Sequence, residues 1–101
     1  MRELPKQYKN REVSNATLNT KHLISVFLDF LSMTKEHTGM TQKDIEQLYT
    51  NWSDTSDSMD EDYFLNEELW DVMDEIAPDG CYFSSHPSDG ACFGYWEYEE
   101  V

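Results

Sequence analysis

The sequence predicts a single α+β domain in which three helices pack on a C-terminal antiparallel β-hairpin or small sheet. Two observations carry this expectation. Apolar residues recur at helical spacing in three separate stretches between residues 19 and 76, and from Cys81 onward the pattern changes to aromatic-rich strands around a Gly-containing turn. A third observation sets the scale: 101 residues give room for one small core, and 39% hydrophobic with 14% aromatic residues is enough apolar mass to exclude a disordered chain.

Residues 1–12 are polar, mixed in charge and interrupted by Pro5, which predicts a flexible N-terminal arm ahead of the domain at 13–101. Asn19 or Thr20 is suited to cap the first helix, whose stripe is Leu23, Ile24, Phe27, Leu28 and Leu31, widened by Val26 and Phe30. It is expected to end near 35–37, ahead of Gly39, where the backbone can turn. Thr41 and Asp44 have the spacing of a capping box for a second helix carrying Ile45, Leu48, Tyr49 and Trp52. Residues 53–62 contain almost nothing to bury and predict an acidic, exposed linker. Tyr63, Phe64 and Leu65 reopen the core, Asn66 is suited to cap the third helix, and Leu69, Val72, Met73 and Ile76 form its buried stripe.

Pro78, Asp79 and Gly80 end that helix. Residues 81–85 and 91–98 then form two strands around the turn His86, Pro87, Ser88, Asp89, Gly90, with Ser85 expected opposite Cys92, Phe83 opposite Gly94 and Cys81 opposite Trp96. In that register Cys81 and Cys92 do not face each other, so both are expected as thiols. Alternation places Cys92, Gly94, Trp96 and Tyr98 on one face and Phe93 and Tyr95 on the other.

The formal net charge is -14, and it is unevenly placed. Arg2, Lys6, Lys9, Arg11, Lys21, Lys35 and Lys43 are the only basic residues, so nothing after residue 43 offsets the acids there. Such a surface repels nucleic acid and anionic membrane and attracts a basic protein partner. No stretch resembles a signal peptide or a membrane span, which makes the cytoplasm the expected location.

The segment from Ile76 to Trp96, with its Ala77-Pro78-Asp79-Gly80 break, Tyr82-Phe83 strand, His86 turn with Asp89-Gly90, and Phe93-Gly94-Tyr95-Trp96 strand, resembles the C-terminal end of a group of small uncharacterised bacterial proteins. Those proteins are often carried on phages, plasmids or conjugative elements. The resemblance implies a mobile-element setting and brings no activity with it.

Three kinds of site can be weighed. Ser85, His86 and Asp89 supply the residue names of a small hydrolase or ligand-binding module, but neighbours on a strand point to opposite faces, and a turn of this kind is ordinarily architecture. For metals, His22, His37, His86, Cys81 and Cys92 lack ligand spacing, and a calcium loop starting at Asp54 has Met59 where Gly is needed and Leu65 where Glu is needed, so no metal or cofactor is expected. The carboxylates are the better candidate. Asp60, Glu61, Asp62, Glu67, Glu68, Asp71, Asp74 and Glu75 are expected to form a negative face, and Tyr95 and Trp96 to supply aromatic anchors. These readings together predict a non-enzymatic protein-interaction protein that acts on a basic DNA-handling protein, in one form as a DNA mimic, with the oligomeric state left open.

Overall fold

The computed structural model describes residues 2–15, 18–86 and 88–97, with the side chain of Asp89 outside that description. Pro87 and Tyr98 also lie outside the described residues. The fold is α+β: a helical layer covers one face of a three-stranded antiparallel sheet. The sheet order is β1 (Arg11–Ser14), β3 (Asp89–Glu97), β2 (Cys81–His86), so the strand nearest the N-terminus joins the C-terminal hairpin.

That third strand corrects the expectation of a flexible arm over residues 1–12. Arg2 N–H donates to the Thr38 carbonyl at 2.8 Å, and Leu4 N–H donates to the Ile76 carbonyl at 2.9 Å. Leu4 is buried in the core, and a short 3-10 turn (Lys6–Tyr8) leads into β1. Backbone pairing satisfies this segment's polar groups, which is why so polar a sequence can lie in the fold.

α1 (Thr20–Thr38) begins at Asn19, whose side chain accepts from His22 N–H, and ends at Gly39 with φ 81, the left-handed conformation that glycine adopts without strain. Leu23, Ile24, Phe27, Leu28 and Leu31 make it the central buried helix. α2 (Gln42–Ser53) starts with the Thr41–Asp44 capping box, and its hydrogen bonds hold the Asp44 carboxyl below the usual range.

Of residues 53–62, expected as a linker, only 54–57 connect helices; Ser53 ends α2 and 58–62 are helical. Asp57 caps α3 (Ser58–Tyr63) by accepting from Asp60 N–H, and Asp60 in turn accepts from the N–H and hydroxyl of Ser56. The short polar side chains that look like loop residues are the ones that satisfy a helix start. Asn66 is therefore no cap; it lies inside the helical run and donates to the Asp62 carbonyl. A π-helical segment (Phe64–Leu69) continues α3 directly into α4 (Trp70–Glu75). Leu65, Leu69 and Met73 are spaced by four, which drifts roughly 40° per step on a straight α-helix. The wider π turn offsets that drift and keeps all three buried.

The hairpin register is one residue away from the expected one. Phe83 faces Tyr95, Ser84 faces Gly94 and Cys81 faces Glu97, with a shift between Ser85 and His86. Cys81 and Cys92 are both buried thiols that do not oppose each other. Phe83, Phe93 and Tyr95 point into the helical layer, where Phe27 and Phe83 meet edge to face at 5.1 Å. On the opposite face, Gly94 lies under the backbone of β1: a Cβ there would stand 2.9 Å from Glu12 Cα.

Candidate acidic interface

The continuous helical run from α3 to α4 carries the acidic residues that the sequence singles out. Glu67, Glu68, Asp71, Asp74 and Glu75 fall within an arc of about 120° at helical periodicity and are exposed. Between Asp60 and Glu75 seven carboxylates are exposed, over roughly 22 Å of helix axis, one every ~3 Å. Along the single line Glu67, Asp71 and Glu75 the interval is about 6 Å, close to two of the ~3.4 Å charge steps on one strand of a duplex.

These carboxylates divide into two groups. Asp60 caps Ser56, Glu61 accepts from the Trp52 indole at 3.0 Å, Asp62 accepts from the Thr20 hydroxyl at 2.7 Å, Glu68 accepts from Asn51 and Asp74 accepts from Phe83 N–H at 3.1 Å. The Asp60 carboxyl is held below its usual range by those hydrogen bonds from Ser56. Asp74 blocks an outward N–H on β2, an edge strand that would otherwise present it to another chain. The side chains of Glu67, Asp71 and Glu75, at i, i+4 and i+8, take no hydrogen bond or ion pair among the described residues. They form an exposed row whose charge nothing else among the described residues engages.

Tyr95 does not belong to an interface. It is fully buried, and its hydroxyl donates at 2.8 Å to the Met73 carbonyl, near the end of α4. Burial, followed by the nearby Asp74 charge, pushes its pKa well above the usual tyrosine value. Trp96 is half-buried on the outer face of the sheet, donating to the Ser84 carbonyl and meeting the His86 ring at 4.8 Å. The sheet separates Trp96 from the helical layer, so it does not share a surface with the carboxylate row.

At the turn, His86 lies beside Trp96, and its Nδ1 accepts from Ser88 N–H at 3.0 Å. A neutral His86 in that arrangement carries its proton on Nε2. Ser85 is cross-strand to Phe93 and alternates to the inner face, so the two neighbours point apart; the Asp89 side chain lies outside the described residues. Among the described residues, no group of three or more His, Cys, Asp or Glu side chains is placed to hold a metal ion.

A feature that the sequence reading missed lies beside α3. A groove of about 840 Å³ runs between α1, α2 and α3, lined by Tyr49, Trp52, Glu61, Lys21 and a series of hydroxyls from Thr50 to Ser58. Its signal was the hydroxyl-rich run itself, which resembles a linker until Asp57 is recognised as a cap. Tyr49 donates to Asp29 at 3.3 Å, and burial together with that carboxylate raises its pKa. A smaller groove of about 310 Å³ lies between Met40, Leu48 and Val72.

Compared with known proteins, the chain matches no family model, no curated protein and no solved structure. Among the described residues no helix is long and apolar enough to cross a membrane.

Proposed function

We propose that this chain is a cytoplasmic interaction protein of a mobile genetic element that binds a basic DNA-handling protein through the helical run of α3 and α4. The reading assigns it binding and not catalysis, and no direct contact with nucleic acid. The observation that carries it is the row Glu67, Asp71 and Glu75, set in a surface where no Lys or Arg after residue 43 interrupts the negative charge. Carboxylates repeated every four residues, about 6 Å along the helix axis, attract a channel built for DNA, and the attraction is long-ranged at low salt. The C-terminal resemblance to small proteins of phages and plasmids supports the same setting, because such elements meet host proteins that act on DNA.

The test combines recovery with competition. Immobilised protein is expected to retain a basic DNA-handling protein from a bacterial lysate, to release it when duplex DNA is added, and to lose it in the triple variant Glu67→Gln, Asp71→Asn, Glu75→Gln. Retention that duplex DNA does not reverse, or that survives the triple variant, overturns the DNA-mimic reading.

A further inference from the structure

The groove beside α3 holds an arrangement that the acidic row alone does not explain. Glu61 has only 13% of its side chain exposed, an unusual state for a carboxylate on this surface. One of its oxygens, Oε2, accepts from the Trp52 indole at 3.0 Å. The other, Oε1, faces only Lys21 Nζ at 3.9 Å, the outer limit of an ion pair, and that lysine is 74% exposed. A mostly buried carboxylate side chain is thus matched by a cation that remains mostly in water. Two rings accompany it: Trp52 and Tyr49 lie 6.5 Å apart at 39° and both line the groove. Around them stand hydroxyls and the Asp57 carboxylate, and the groove has almost no other donor of positive charge.

We propose that this groove receives an arginine side chain of the basic partner, with Lys21 occupying the edge of the site until that side chain displaces it. The proposal rests on the partner-binding reading above and adds the anchor to it. Arginine fits better than lysine on three counts. Its planar cation stacks on an aromatic face. Its five donors match a wall of hydroxyl and carboxylate acceptors, where an ammonium offers three. It is also less strongly hydrated and so enters a partly desolvated site more readily. Glu61 precedes Glu67 by six residues, about 9 Å along the helix axis and roughly 120° or more around it, so the groove and the row are separate points of contact for one partner.

The experiment titrates the full chain with a capped tetra-arginine peptide at low salt, following the Trp52 indole N–H by NMR and the dissociation constant from the shifts. The indole resonance is expected to move, and Glu61→Gln, which still accepts from Trp52, is expected to weaken binding about tenfold. Lys21→Ala is expected to tighten binding roughly threefold beyond the gain from Lys43→Ala, a control that removes one exposed positive charge elsewhere. The matching tetra-lysine peptide is expected to bind more weakly. An unmoved indole resonance at saturation, equal effects of the two lysine variants, or equal binding of the two peptides overturns the proposal. The triple variant of the row separates the two ideas: if it alone weakens the peptide, the groove proposal falls and the acidic face stands, and if only the groove variants act, the face falls.

Discussion

Replacing Gly94 with alanine is expected to destabilise the protein by about 3–5 kcal/mol, because the residue lies directly beneath β1. An added Cβ collides with the Arg11 carbonyl oxygen and stands 2.9 Å from Glu12 Cα and 3.0 Å from the Arg11 carbonyl carbon. All three are backbone atoms, so no side-chain rotation relieves the overlap. Either the strands move apart or β1 leaves the sheet. Forcing an extra methyl into packed structure costs about 1–3 kcal/mol. Separation also weakens the hydrogen bond from Asn10 N–H to the Tyr95 carbonyl, 2.7 Å long, and the ladder around the Arg11–Tyr95 pair. Two such bonds at about 1 kcal/mol each bring the total into that range, a large share of the ~5–15 kcal/mol that folded domains possess. Urea denaturation followed by far-UV circular dichroism measures the loss, and amide exchange at Asn10 reports whether β1 is released. A loss below about 1 kcal/mol with unchanged protection of Asn10 would refute the placement of β1 against Gly94.

Other perturbations test other contacts. Tyr95→Phe leaves the Met73 carbonyl without its hydroxyl donor and is expected to cost about 1–2 kcal/mol. Because burial raises the Tyr95 pKa above its ordinary value of 10.0, the stability this group contributes is complete below pH 10 and declines above it. The decline amounts to about 1.4 kcal/mol per pH unit, so denaturation curves across that range should be flatter for the phenylalanine variant. Asp74→Ala strands the Phe83 N–H at the sheet edge and is expected to cost about 1–2 kcal/mol, with Asp74→Asn recovering most of it through its remaining carbonyl oxygen. Raising salt from about 20 to about 200 mM screens repulsion among the exposed carboxylates and should raise the Tm; an unchanged Tm would mean the charges are too widely spaced to oppose folding.

Local signals were legible in the sequence, and distant pairings were not. Asn19, the Thr41–Asp44 box and Gly39 act within a few residues of themselves, and each is found at the helix end it marks. Residues 2–14 reveal nothing locally because what orders them is remote: Arg11 pairs with Tyr95, and Leu4 bonds to Ile76. The hairpin register slipped by one because the shift between Ser85 and His86 belongs to the turn, where His86 accepts from Ser88 N–H. Alternation correctly placed Phe93 and Tyr95 together, but it does not say which face is the core. The inner face is the one whose rings Phe83, Phe93 and Tyr95 pack on Phe27 and Phe30 of α1, while Gly94 on the other face lies against the β1 backbone.

The division among the carboxylates decides how the acidic surface must be tested. Asp60, Glu61, Asp62, Glu68 and Asp74 each hold another part of the fold, so neutralising them changes stability as well as charge. Glu67, Asp71 and Glu75 hold nothing among the described residues, and like charges four residues apart on a helix oppose it slightly. Their amide variants should therefore leave the fold intact or stabilise it while removing the row a partner would meet. A surface whose neutralisation strengthens the free protein and weakens its complex is the thermodynamic mark of charge kept for recognition. Unchanged stability and unchanged binding would instead make the same three residues ordinary solvated surface.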